Sequence, residues 1–291
     1  MRQSQIAKIN NKQVSVLRYP GGKTRAVDNI FQYIPKDTRT ICSPFLGGGS
    51  VELRCANNGM KVKAYDAFEP LVAFWSYLLK RPTTLARHVA AWWSSGEDGL
   101  YTTTGPEYSA LQKSVVAEKN KIQRAALYYV INRTSYSGST LSGGRTPGNP
   151  RFTESSLTRL LDFKHYNLTK KITVECLDFR KAIKKNKSTM FYLDPPYWIQ
   201  NKLYGVKGDM HIQEDDHMEL YEILSKTKKW ILSYNDSKKI RNVYSDYKII
   251  PLKWGYGMKN VSKNNEGKKS MKKSSEVLIL SHEISKYHEK K

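Results

Sequence analysis

The tetrapeptide Asp194-Pro195-Pro196-Tyr197 closes an apolar run, Met190-Phe191-Tyr192-Leu193, and its residue types suit one kind of chemistry. In open α/β sheets ligands bind beyond the carboxyl ends of the strands, so a carboxylate placed there faces a pocket. The exocyclic N6 amine of adenine is a poor nucleophile because its lone pair is delocalised into the ring. The Asp194 carboxylate and the Pro195 carbonyl could each accept one N–H, favouring a pyramidal nitrogen with its lone pair freed for attack. The prolines remove backbone donors and stiffen the chain that aims the carbonyl. Tyr197 offers a flat face for a base taken out of its stack. Catalysis would then be positioning and electrostatics for an in-line displacement. The same residues also read as a Pro-Pro strand terminator beside an exposed tyrosine.

A second constellation lies upstream. Pro44-Phe45-Leu46-Gly47-Gly48-Gly49-Ser50 follows the short strand pattern Thr40-Ile41-Cys42-Ser43, where glycines let the backbone approach a ligand closely. From Gly49 to Asp66 is 66 − 49 = 17 residues, which lands the carboxylate at the tip of the next strand, Val62 to Asp66. There it could accept both hydroxyls of a ribose, or serve as an ordinary helix cap. No P-loop Lys-Ser/Thr follows the glycines, and no G-x-G-x-x-G opens the helix, which argues against nucleotide hydrolysis and nicotinamide chemistry.

The elements that must position these groups alternate. A helical pattern, Val27, Ile30, Phe31 and Ile34, precedes the first strand, and Ser50 opens a helix that ends near Asn58-Gly59. A further helix spans Leu71 to Leu79. The alternation resumes with strands at Ile172–Cys176 and Met190–Asp194, a helix from about Glu214 to Lys226, and last strands at Trp230–Ser233 and Glu276–Leu280. This is the rhythm of a doubly wound α/β sheet. Residues 81–164 break it, with one long helix predicted over 106–132, a Gly/Ser/Thr/Pro-rich loop over 135–150 and a helix over 153–163 capped by Thr153 or Ser155. That stretch reads as a mostly helical insertion between a first catalytic part, 1–80, and a second, 165–291. Within the second part, 259–275 reads as a mobile basic loop.

Charge is the loudest bulk signal: 49 Lys+Arg against 26 Asp+Glu give a net +23. Such a field attracts phosphate backbones, although many Lys-rich proteins bind nothing acidic. Cys42, Cys55 and Cys176 form no disulfide framework and have no metal-ligand spacing, so no metal is expected. No apolar run reaches the length of a membrane span, and the amino terminus lacks a secretory h-region; a soluble intracellular protein is the expectation.

The set Arg18-Tyr19-Pro20-Gly21-Gly22-Lys23, then Pro44 to Gly49, then Asp178-Phe179, then Asp194 to Tyr197 resembles the Dam-type (alpha-group, D12 class) DNA adenine-N6 methyltransferases. The likeness covers nearly the whole chain, with the motifs in the family's order. It implies a Rossmann-like methyltransferase sheet carrying an inserted target-recognition domain. It also implies a methyl donor, S-adenosyl-L-methionine, and double-stranded DNA from which the target adenine is flipped. Tyr19, Gly21, Gly22 and Lys23 would close over the donor's methionine part, Phe45, Gly47 and Gly49 would line its floor, and Asp66 would hold the ribose. Asp178 and Phe179 would meet the donor's adenine, while Asp194, Pro195, Pro196 and Tyr197 would hold the target base. Tyr234, in Ser233-Tyr234-Asn235-Asp236, would help wall the base pocket.

The recognition stretch departs from GATC-reading relatives. Asn132-Arg133-Thr134-Ser135-Tyr136-Ser137-Gly138 continues to Arg145 with Ser137, Ser139 and Leu141 where those relatives carry Asn, Leu and Arg. The run, followed by Arg151-Phe152-Thr153, is closer to CATG-reading members. Asn132, Arg133, Tyr136, Ser137 and Arg145 are therefore candidate DNA contacts, arginine being the usual reader of guanine. Lys268 and Lys269 of the basic loop are candidate phosphate contacts. A restriction endonuclease sharing the site is a candidate partner. Competing readings are transfer to cytosine N4, to RNA adenine or to a protein amide, whose enzymes usually open the tetrapeptide with Ser or Asn. A DNA-binding protein without catalysis is the reading from another class.

Overall fold

The computed structural model describes residues 15–93, 105–145, 152–166, 168, 170–198, 212–252, 262–263, 269–270 and 276–290. Among them a seven-stranded sheet has the order β3-β2-β1-β4-β5-β9-β6. Its strands are β1 (Thr40–Ser43), β2 (Lys61–Asp66), β3 (Ile172–Cys176), β4 (Met190–Leu193), β5 (Trp230–Asn235), β6 (Lys248–Leu252) and β9 (Glu276–Leu280). The first five are parallel, and β9 runs antiparallel to both β5 and β6. The chain leaves β1 for β2 on one side and returns to β4 on the other, so strand order reverses between β1 and β4. This is the switch point at which doubly wound sheets bind ligands, and the expected α/β fold is the one observed. β4 and β9 are buried along their whole length, which is why they are continuous apolar runs rather than alternating ones.

Helices cover the sheet: α1 (Val27–Phe31), α2 (Ser50–Asn57), α3 (Glu69–Lys80), α8 (Phe179–Lys185), α9 (Glu214–Ser225), α10 (Lys238–Val243) and α11 (His282–Glu289). Four more, α4 (Pro82–Trp93), α5 (Gly105–Ala117), α6 (Lys121–Thr134) and α7 (Glu154–Asp162), lie in the stretch expected to be an insertion. α6 packs against α3 and α4, with Phe74 stacked on Tyr129 at 5.4 Å and 2° between ring planes. Among the described residues no helix is long and apolar enough to cross a membrane.

Several expectations need correction. The single helix over 106–132 is two, because Asn120 stops the apolar spacing and caps α6, accepting from the N–H of Ile122 at 3.1 Å. The helices α4, α8, α10 and α11 and the strand β6 are additional to the sequence reading. Of the two candidate caps for α7, Thr153 holds the position, in a capping box with Ser156. Within the basic stretch, β7 (Ser262–Lys263) pairs antiparallel with β8 (Lys269–Ser270), a short hairpin where a loop was expected.

Candidate active site

A cavity opens beyond the carboxyl ends of β1, β2 and β4. It is lined by the turn after β1 (Pro44 to Ser50), by Asp66 to Phe68 after β2, by Asp178 and Phe179 after β3, and by Asp194, Pro196 and Tyr197 after β4. Tyr19 to Lys23 form one rim, and Tyr128 with Gly138 to Leu141 form another. The sequence-predicted residues Tyr19, Gly21, Gly22, Lys23, Phe45, Gly47, Gly49, Asp66, Asp178, Phe179, Asp194, Pro196 and Tyr197 are thus brought together from five separate stretches of chain.

The turn after β1 is held on both sides. Asp66 Oδ2 accepts from the N–H of Gly47 at 3.1 Å, and the Trp75 indole donates to the Gly47 carbonyl at 3.0 Å. Gly49 sits at φ +69°, and a Cβ there would stand 2.6 Å from the Trp75 ring, so the position admits only glycine without rearrangement. The space beside Gly47 is filled by the Tyr19 ring. Asp66 also accepts from the N–H of Phe68 at 3.0 Å through Oδ1. Burial pushes its carboxyl up to about 6, against those two hydrogen bonds. Each oxygen therefore holds one backbone donor and keeps further lone pairs.

Asp194 meets Lys23, whose side chain is 3% exposed. The ammonium donates to Asp194 Oδ2 at 2.8 Å, to the Tyr197 hydroxyl at 2.7 Å and to the Gly21 carbonyl at 2.8 Å. It lies 2.7 Å from Asp194 Oδ1 as well, and that oxygen accepts no hydrogen bond. Burial raises the Asp194 carboxyl to about 6; Lys23 opposes the rise and the nearby Glu276 adds to it. At neutral pH Asp194 is mostly ionised and is an acceptor.

Asp178 caps α8, with Oδ1 accepting from the N–H of Arg180 at 2.9 Å and Oδ2 from its guanidinium at 3.1 Å. Arg180 is bound in turn to Asp216 and, at 2.7 Å, to Glu219 of α9. Phe45 stacks on Phe179 with centroids 5.4 Å apart.

Two expected DNA contacts are corrected. Asn132 is fully buried, and its amide ties α6 to the Arg18 backbone: Arg18 N–H donates to Oδ1 at 3.0 Å, and Nδ2 donates to Arg18 O at 2.6 Å. Tyr234 is fully buried behind Tyr197, centroids 6.0 Å apart, with its hydroxyl on His217. Pro195 is buried and does not line the cavity. Tyr136 stands 61% exposed, beside Ser137, whose φ of +54° is left-handed. Arg133 and Arg145 are half-buried, and Arg145 bridges Ser135. Lys268 lies outside the described residues, and Lys269 opens β8.

Sequence reading passed over Glu52, buried in α2 and lining the cavity, and Glu276, buried at the start of β9. A lone acid within the apolar and small residues 50–56, and another heading the apolar run 276–280, were the available signals. Trp198 was also missed; it stacks on His217 at 4.7 Å, with the Lys239 ammonium 3.8 Å from its ring centre.

Fold and site together define a Rossmann-like methyltransferase. Residues 19–258 match the model of D12 class N6 adenine-specific DNA methyltransferases, and the chain belongs to that family. It is 21% identical over 238 residues to the Type II methyltransferase M.CviBI of Paramecium bursaria Chlorella virus NC1A, covering 80% of this chain and 86% of that protein. Among solved structures it is similar to a precorrin-6y C5,15-methyltransferase from Geobacter metallireducens GS-15, at 9% identity and a TM-score of 0.36, over 89% of this chain and 86% of that one.

Proposed function

We propose that the protein transfers a methyl group from S-adenosylmethionine to N6 of an adenine flipped out of duplex DNA, at a palindromic site for which CATG is favoured over GATC. One observation carries the reading: the Asp194 carboxylate, paired with the buried Lys23 and next to Tyr197, shares a cavity with the glycine turn and Asp66. The donor set fits the cofactor. Asp66 retains lone pairs for ribose hydroxyls, and the stacked Phe45 and Phe179 offer an aromatic edge for its base.

When bound, the cofactor supplies an electrophilic methyl on a sulfonium. Asp194 takes an N–H group of the target amine and orients its lone pair; Tyr197, which lines the same cavity, stacks on the extruded ring. As the nitrogen forms its new bond it becomes acidic, and Asp194 is placed to accept the leaving proton. Lys23 holds the Asp194 carboxylate ionised and aligned until it takes that proton. Residues 81–164 serve as the recognition insertion and 1–80 with 165–291 as the catalytic part, acting inside a cell. Tyr136, Ser137, Arg133 and Arg145 face the DNA, with phosphate contacts from the basic hairpin. A restriction endonuclease of the same site is the partner that a methyltransferase of this kind would protect against. The CATG preference rests on the stretch from Asn132 to Arg145.

The test is methyl transfer from a labelled donor to duplexes carrying one CATG, one GATC or neither. Label in N6-methyladenine is expected with CATG preferred. Label confined to GATC would overturn the site, and absence of label from every duplex would overturn the activity. Asp194→Ala should abolish transfer while leaving the melting temperature and most DNA affinity in place; full activity in that variant would refute its role.

A further inference from the structure

The cavity contains more acid than this chemistry uses. Accepting from one amine needs Asp194 alone, yet Glu276 of β9 lies 3.6 Å from the Lys23 ammonium, and Glu52 of α2 lines the same cavity at 4% exposure. Three carboxylates thus gather around one cation. The groups facing Glu52 come from every side: Ser43 from β1, Asp194 and Tyr192 from β4, Lys23 from its turn, and Cys55 further along α2. Ser43 Oγ donates to Glu52 Oε1 at 2.6 Å. A buried carboxylate without a matching positive charge protonates rather than remain ionised. Burial raises Glu52 to about 7 against the Ser43 bond; Asp194 adds to the rise and Lys23 opposes it.

In-line delivery brings the sulfonium sulfur within roughly 5 Å of the amine nitrogen that Asp194 holds, a reacting distance plus one carbon–sulfur bond. Two cations, Lys23 and the sulfonium, then compete for the Asp194 carboxylate. Glu276 faces Lys23 from outside the cavity lining, so the buried acid that lines the cavity itself and can add a negative charge as the sulfonium enters is Glu52. We propose that Glu52 is a charge-balancing residue for the methyl donor: it gives up its proton as the sulfonium enters, and so favours the cationic donor over the uncharged thioether product. The inference rests on the cofactor reading above. Glu52 touches none of the reacting atoms, so its role is positioning of charge rather than bond making.

Titration calorimetry of the full chain at neutral pH, in two buffers of different ionisation enthalpy, counts protons released on binding S-adenosylmethionine and S-adenosylhomocysteine. Release with the donor and little with the product is expected. Glu52→Gln should abolish the difference and narrow the ratio of the two Kd values by about tenfold. Ser43→Ala removes a hydrogen bond to the ionised form, so release should shift to higher pH. A Glu52→Gln protein that melts like the parent and keeps both proton count and Kd ratio would overturn the proposal. If the parent binds neither ligand, the cofactor reading itself fails; if it binds both with equal proton counts, only the role of Glu52 fails.

Discussion

Replacing Lys23 with methionine removes the only cation within salt-bridge distance of Asp194 among the described residues, while keeping the length of an unbranched side chain. The lost contact is a charge-assisted hydrogen bond at 2.8 Å in a buried setting. Such a bond contributes about 1.5–3 kcal/mol, which corresponds to roughly one to two units of pKa. Asp194, already raised to about 6 by burial with Lys23 in place, would rise to roughly 7–8 without it. At neutral pH the ionised fraction would fall from about nine-tenths to between a half and a tenth, because a protonated carboxyl is no longer a pure acceptor. The single-turnover rate of methyl transfer, measured against pH with donor and duplex saturating, should therefore show its acid limb moved upward by one to two units, with recovery in alkaline buffer. An unmoved midpoint near the parental value, in a variant that still binds the donor, would refute the claim that Lys23 keeps Asp194 ionised.

Asp66→Ala frees the Gly47 and Phe68 amides and removes the proposed ribose acceptor, so donor affinity should drop by at least tenfold in calorimetry; unchanged affinity would contradict the assignment. Gly138→Ala should be severely destabilising, because a Cβ at φ +77° would lie 2.1 Å from the Arg18 carbonyl. A melting temperature within a degree or so of the parent would show that the two segments are not clamped there. Stability of the unliganded chain should rise as pH falls from about 8 to about 5, since the carboxyls of Glu52, Asp66 and Asp194 are all raised in the folded state. The effect is complete below their unfolded values of 4.5, 3.8 and 3.8 and is lost as pH climbs through 6 to 7. For Glu52, the rise from 4.5 to about 7 corresponds to at most about 3 kcal/mol, so Glu52→Gln should flatten the trend of melting temperature with pH.

The strands that carry the site could be read from the sequence because each is a short apolar run ending in a turn residue or a carboxylate: β1 before Pro44, β2 at Asp66, β4 before Asp194. β6 was hidden by Pro251, which breaks a strand pattern and is tolerated because β6 sits at the sheet edge. The division between α5 and α6 was hidden because apolar residues recur on both sides of Asn120, and only its capping bonds mark the boundary. Asn132 was expected to contact DNA from its place in the recognition stretch, and Tyr234 to wall the base pocket from the late motif, but a motif does not reveal burial. An amide can be spent on a neighbouring backbone, as Asn132 is on Arg18, and a tyrosine can turn its hydroxyl inward, as Tyr234 does to His217. Glu52 and Glu276 escaped for the opposite reason. Charged residues are normally solvated, and only the tertiary assembly places these two beside Lys23.

The charge of the molecule is divided by location. The whole chain carries +23, yet the described cavity is lined by Asp66, Asp178, Asp194 and Glu52, and Lys23 is the one lysine among its lining residues. On the proposed reading the two signs sort the two ligands. Phosphates are attracted to the outer surface by Lys and Arg and are repelled from the acid-lined interior, so the duplex backbone stays at the rim. A neutral purine can pass inward without that penalty, and a cationic sulfonium is drawn to the same place. A nucleotide triphosphate would meet the same acids at close range, which agrees with the missing P-loop lysine after the glycine turn. Selectivity between polyanion, base and cation then follows from where the carboxylates are buried rather than from the net charge.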